Sequence, residues 1–362
     1  MSTNNRTGRK RDYVGVLSSV FAIVIGLLVG FVILLICNPS QALPGFVTIL
    51  TGAFTHGLKG VGQVFYYATP IILTGLSVGF AFKTGLFNIG TPGQFIVGAF
   101  AAVYVGIMWT GLGRIQWAVA LLAAILGGAL WGMVPGFLKA CFNVNEVIAS
   151  IMMNYIGMYM VNWIVKSYKP LFNNLRNESR NVAATAQIPK MGMDKLFPES
   201  SVGGGILLAI AAVLIIWVIL NKTTFGYELK AVGFNRDASR YAGINEKRNI
   251  IMSMVIAGAI AGMAGGLLYL AGTGKHIEIK DVLASEGFTG ISVALLGLSH
   301  PIGVLFSGIF IAYLTAGGFY LQLFEFSTEI IDIIVAVIIY FSAFALIVKT
   351  ILTRVNKNRE KG

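Results

Sequence analysis

The chain has 362 residues, of which 56% are hydrophobic and only 12% charged. A soluble protein of this size could not hide that apolar share in one core, so lipid is the expected solvent. The net charge of +12 invites a nucleic-acid reading, but Lys and Arg sit in the tails and in short links between apolar runs, which is the pattern of membrane topology.

At the start of the chain, Arg6, Arg9, Lys10 and Arg11 precede an apolar run from Val16 to Ile36. Its length fits a retained anchor helix better than a cleaved leader. The bulky Leu34, Leu35 and Ile36 before Cys37 are wrong for a lipoprotein cleavage site. Crossing roughly 30 Å of hydrocarbon takes about 20 helical residues. Runs of that kind recur along the whole chain, and we read ten spans: 16–36, 61–82, 86–109, 116–138, 146–166, 203–221, 249–271, 285–299, 301–320 and 329–349. The expected fold is all-α, with one membrane domain over 16–349 between an N-terminal tail (1–15) and a C-terminal tail (350–362). Placing both termini in the cytoplasm puts 17 of the 27 Lys and Arg residues inside. That orientation requires the long, basic segment Ser167–Val202 to lie outside.

Gly85, Gly90, Pro92 and Gly93 break the third span near its start, and the eighth span is short. The irregular stretches Gly85–Gln94 and Gly287–Gly303 follow spans two and seven, which run in opposite directions, as in an inverted repeat. Backbone groups freed at such breaks survive in a bilayer only where protein or water replaces their partners. Paired breaks therefore point to a binding site or pathway near the membrane centre. In span seven, Gly258, Gly262 and Gly266 lie at four-residue spacing and suit close helix packing. The polar insert 222–249 is too charged for lipid. Within it Asn235 precedes Arg236 to Ala242, with Gly243 following, which predicts a short capped helix in the cytoplasm.

Chemical motifs are largely excluded. Gly272-Thr273-Gly274-Lys275 resembles part of a phosphate loop, but Tyr269 stands where Gly is needed and His276 where Ser or Thr would meet magnesium. His56, His276 and His300 are far apart, and no metal or catalytic cluster is expected. Cys37 and Cys141 offer neither a disulfide framework nor ligand spacing. Glu146, Glu286, Glu329 and Asp332 sit toward span ends, where an ion relay would want deeper charges.

Four stretches resemble the permease subunits of bacterial ATP-binding-cassette importers, in the superfamily for branched-chain amino acids and simple sugars, and within it the nucleoside-uptake branch. They are Gly75–Gly90 with Gly93-Gln94, Asn145–Ile156, Gly226–Asn235 running on to Tyr241–Asn245, and Glu286–Gly297 with Pro301 and Gly303. One departure is Thr91-Pro92, where that family more often has a small residue and Glu.

The resemblance implies a multi-pass protein of a bacterial plasma membrane that is not itself an enzyme. It implies a second permease, usually a different chain, and a cytoplasmic ATP-binding subunit that carries ATP and Mg. It also implies an external substrate-binding lipoprotein. Asn235, Arg236, Asp237, Arg240, Tyr241 and Gly243 would then form the surface on which the ATPase docks. Phe87, Asn88, Gln94, Asn154, Thr289 and Ser292 are the candidates to face a small-molecule solute, because amides and hydroxyls can exchange hydrogen bonds with it and Phe87 can stack on a base. The alternative for each is structural: buried Asn and Gln can tie broken helices together, and Phe87 can be a lipid-facing or core side chain. The rival functions are a permease for simple sugars or branched-chain amino acids, an ion-coupled secondary transporter, and a channel.

Overall fold

The computed structural model describes residues 4–326 and, beyond them, positions 333, 334, 336, 337, 340, 341 and 350. The tenth expected span, with Glu329 and Asp332, and the C-terminal tail lie mostly outside the described residues. Thirteen helices follow in order among them: α1 (Asn4–Cys37), α2 (Ala42–Thr55), α3 (Gly57–Lys83), α4 (Thr91–Met108), α5 (Gln116–Phe142), α6 (Glu146–Ser167), α7 (Met193–Leu196), α8 (Gly205–Lys222), α9 (Thr224–Phe234), α10 (Arg236–Tyr241), α11 (Glu246–Tyr269), α12 (Ser285–Leu296) and α13 (Pro301–Phe319). Two short antiparallel strands, β1 (Phe172–Asn173) and β2 (Glu178–Ser179), interrupt the helical pattern.

Seven stretches among the described residues are long and apolar enough to cross a membrane: α3, α4, α5 with the turn before it, α6, α8, α11, and α13 with the turn after it. The chain is a multi-pass membrane protein. α12 has 12 residues, and at 1.5 Å per residue its length of about 18 Å falls short of the hydrocarbon core. The second irregular stretch is narrower than the glycines suggested. Helix runs through Leu296, and the break closes to 297–300, where Leu298 and Ser299 both take φ of 53°.

α2 is a helix that the span pattern did not predict. Pro44, Gly45, Thr48, Thr51 and Gly52 dilute its hydrophobic run, yet Ala42, Gly45, Ile49, Gly52 and Ala53 are buried at helical spacing. It fills the space between α1 and α13, where Leu34, Ile49, Leu314 and Leu321 pack together.

The centre of the molecule is built on glycine. α4, α5 and α11 meet backbone to backbone: a Cβ on Gly262 would overlap the Ala124 carbonyl, one on Gly258 the Gly128 carbonyl, and one on Gly98 the Gly262 Cα. Without water to drive apolar surfaces together, such close approach gives membrane helices their van der Waals attraction. The spacing of Gly258, Gly262 and Gly266 thus serves packing, with Gly128 and Gly132 of α5 as the matching surface.

Caps mark the polar ends. The Asn145 side chain accepts from Val147 N at 2.9 Å to start α6, and Asn245 accepts from Arg248 N at 3.0 Å to start α11. The segment 167–204 and the loop 270–284 form one structure. Ser179 N donates to Ile277 O at 2.9 Å, Ile188 N to Leu270 O at 2.9 Å, and Ile279 N to Asn177 O at 3.1 Å. α8 runs from this end of the bundle to α9 and α10, and α11 returns from α10 to the 270–284 loop, so the basic insert and the short capped helix sit one span apart.

Candidate functional site

The break between α3 and α4 is held by a closed set of polar contacts. Asn88 Nδ2 donates to Gln94 Oε1 at 2.9 Å and Gln94 Nε2 donates back to Asn88 Oδ1 at 3.0 Å. Asn88 Nδ2 also reaches Ser77 Oγ at 3.3 Å, and that hydroxyl donates to Ala257 O at 2.7 Å. From α6, Asn154 Oδ1 accepts from Gly93 N at 2.8 Å while its Nδ2 donates to Ile89 O at 2.9 Å. Asn88, Gln94 and Asn154 are all buried. The Asn154 amide therefore supplies partners to two backbone groups at the break, which is the arrangement a bilayer demands of irregular backbone, while the Asn88 and Gln94 amides satisfy each other across it.

Loss of this clasp has a direct cost. Asn154→Leu leaves Gly93 N–H and Ile89 C=O without partners, at about 1–3 kcal/mol for each buried group. The expected result is a clear drop in the thermal midpoint of the purified protein in lipid nanodiscs. An unchanged midpoint would show that the clasp contributes nothing to stability.

Phe87 is half-buried at the other end of the break and stacks on Phe82, with centroids 5.3 Å apart and planes 9° from parallel. Thr289 and Ser292 are half-buried on α12. α12 adjoins the clasp, since a Cβ on Gly287 would overlap Pro92 at the start of α4.

A cavity of about 580 Å³ opens beside α12, lined by Tyr66, Tyr67, Pro70 and Ile71 of α3, Leu268 of α11, Lys275, Ser285, Glu286 and Thr289, and Thr315 and Ala336. Pro70 stands inside α3 and has no N–H for the Tyr66 carbonyl four residues earlier. Lys275 Nζ lies 3.0 Å from Glu286 Oε1. Tyr66 Oη and Thr273 Oγ1 share a hydrogen bond of 3.0 Å. Gly272 and Gly274 take φ of 74° and 72°, a left-handed conformation that Gly adopts without steric cost, and the turn they make presents Lys275 to α12. The stretch with a partial likeness to a phosphate loop is thus a turn at the rim of this cavity. Of the residues expected to face a solute, only Thr289 lines it. Tyr66, Tyr67, Lys275 and Glu286 were not in that set, although Pro70 within an apolar span and an acid at a span end were visible signals.

At the opposite end, α10 is capped as expected: Asn235 Oδ1 accepts from Ala238 N at 2.9 Å, and Gly243 takes φ of 81°. Arg236 faces inward, with Nε 2.7 Å from Glu246 Oε2 and Nη1 3.4 Å from Asn143 Oδ1. Asp237, Arg240 and Gly243 are exposed, and Tyr241 and Phe234 are 95% and 90% exposed. α9 joins this surface to the break, because a Cβ on Gly233 would overlap the Lys83 carbonyl and Gly233 O lies beside Gly85. Among the described residues no group of three or more His, Cys, Asp or Glu side chains is placed to hold a metal.

The sequence is 38% identical to the guanosine ABC transporter permease protein NupP of Bacillus subtilis (strain 168), covering 93% of this chain and 96% of that one. It is 34% identical to the nucleoside ABC transporter permease protein NupB of Lactococcus lactis subsp. cremoris (strain MG1363), covering 97% and 95%. A second Bacillus subtilis protein, the guanosine ABC transporter permease protein NupQ, is 29% identical over 68% of this chain and 77% of its own length. No solved structure matches. The family described as branched-chain amino acid transport system / permease component matches residues 60–343, a stretch that holds the clasp, the cavity and α10 together, and the chain belongs to that family.

Proposed function

We propose that this chain is one of two membrane subunits of an ATP-binding-cassette importer for nucleosides. The carrying observation is identity of 38% and 34%, over nearly full length, to proteins named as guanosine and nucleoside ABC transporter permeases. Two permeases of one organism share the guanosine name and both resemble this chain, which supports a different chain as its membrane partner. The chain supplies no ATP site of its own; hydrolysis falls to a cytoplasmic subunit, and an external binding lipoprotein delivers the solute.

In this reading both termini and α10 face the cytoplasm, and the 167–204 insert and the cavity face outward. Ten spans arranged as an inverted repeat, with the tenth over 329–349, complete the membrane domain. ATP-driven closure of the partner pushes on Asp237, Arg240, Tyr241 and Gly243 of the α10 surface. α9 passes the push to the 84–90 break, and the two permeases rock between inward and outward openings. Such coupling requires that the ATPase bind the two states with different free energy. Asn88, Gln94 and Asn154 hold the break as it moves, while Phe87, Thr289 and Ser292 border the route.

The test is uptake by proteoliposomes that contain this chain with its co-purifying subunits and external binding protein. Labelled guanosine should accumulate only when ATP is enclosed with the ATPase. Accumulation that ignores ATP but collapses with an ion gradient would overturn the reading in favour of a secondary transporter. Passive flux through this chain alone would make it a channel.

A further inference from the structure

The cavity beside α12 carries more chemistry than a passage needs. Its volume of about 580 Å³ falls inside the range of roughly 300–1,000 Å³ common to small-molecule sites. Part of its lining is aromatic: Tyr66 and Tyr67 meet edge to face with centroids 5.3 Å apart, beside Pro70 and Ile71. The lining also gathers the polar side chains of Lys275, Ser285, Glu286 and Thr289. Aromatic side chains and convergent polar groups around one cavity fit a solute with a flat apolar ring at one end and hydroxyls at the other.

The charges in the lining narrow the choice. Among the described lining residues Lys275 and Glu286 are the two charged groups, and they neutralise each other at 3.0 Å. Glu286 Oε1 takes the Lys275 ammonium and Oε2 accepts from Ser285 Oγ at 3.4 Å. A carboxylate has about four lone-pair sites, so acceptor capacity remains for a vicinal diol. A phosphate, in contrast, finds its cation already paired and a carboxylate beside it. The Thr289 and Thr315 hydroxyls donate to Ser285 O and Ile311 O, both at 3.0 Å, which leaves their oxygens free to accept. Lys275 is held in register because its loop is fastened to the insert through Leu270, Ile277 and Ile279.

We infer that this cavity is a subsite for one neutral nucleoside, with the base on Tyr67 and the ribose hydroxyls at Glu286, and that the Lys275–Glu286 pair makes it refuse the phosphorylated nucleoside. The inference rests on the proposed transport of nucleosides and adds where the solute is held and how its charge is judged.

The experiment uses the assembled complex in membranes, labelled with the photoreactive probe 8-azidoguanosine. Label should map to the α3 segment that holds Tyr66 and Tyr67, and guanosine should displace it while guanosine 5′-monophosphate should not. Tyr67→Ala should weaken displacement by guanosine about tenfold, within the scale of losing one base-stacking partner, whereas Tyr67→Phe should not. In Glu286→Gln, Lys275 loses its counter-charge, and guanosine 5′-monophosphate should become a competitor by at least about tenfold. A pair that only braces the loop would give a weaker protein with unchanged selectivity, and that result overturns the assignment. Label on other segments also overturns it. Guanosine uptake that persists beside either negative result leaves the transport reading standing, while absence of ATP-driven guanosine uptake in the wild-type complex removes both.

Discussion

Gly262→Leu should abolish the folded protein, whereas Gly111→Ala should leave it unchanged. Gly262 lies where α11 crosses α5, and even a single added carbon there overlaps the Ala124 carbonyl, a backbone atom that cannot swing aside. Gly98 of α4 presses on the same residue from another side, so a shift that relieves one contact worsens the next. Forcing a methylene into a filled core costs about 1–3 kcal/mol, and a leucine adds several of them. Ala at this position should give an intermediate loss. Gly111 has open space within 4 Å and an ordinary φ, which makes it the control. The check is the monodisperse fraction on size-exclusion chromatography in mild detergent. A Gly262→Leu protein that elutes and melts like the parent would mean that α5 and α11 do not meet through their backbones.

Arg240→Glu combined with Tyr241→Asp should separate transport from folding. Both side chains are exposed on α10, so the double variant should insert and melt like the parent. If this surface receives the ATPase, co-purification and ATP-driven uptake should fall at least about tenfold, the scale of losing one anchoring interface residue. Arg236→Ala is the contrasting variant. Its guanidinium is engaged with Glu246 and Asn143, and its removal should lower the melting temperature as well as docking. Co-purification that survives the double substitution would remove α10 from the coupling path.

Some features were legible because their causes are local. Asn235 and Gly243 bracket α10 since a side-chain oxygen can cap N–H groups three residues on and glycine tolerates a left-handed φ. The interruption at 85–94 was legible for a similar reason, as Gly85, Gly90, Pro92 and Gly93 defeat a helix wherever they stand. Other features depended on groups distant in the chain. Asn154 was singled out as polar, but that it fastens Gly93 and Ile89, 61 and 65 residues away, follows from how α6 lies on α4. Arg236 looked equivalent to Arg240 in sequence, and the fold turned one toward Glu246 and left the other in the open.

The residues alone established that this is a helical membrane protein, where most of its spans lie, and where its backbone breaks, because the cost of a bare peptide group in lipid acts on every short segment separately. They also carried the motifs by which its family was recognised. Assembly in three dimensions added α2, closed the amide clasp, and brought Tyr66, Tyr67, Lys275 and Glu286 to one cavity. Tyr66 and its partner Thr273 are 207 residues apart, and no local pattern encodes a meeting at that range. Such encounters depend on helix crossings, and here those crossings are set by glycines whose lack of a side chain lets distant backbones touch.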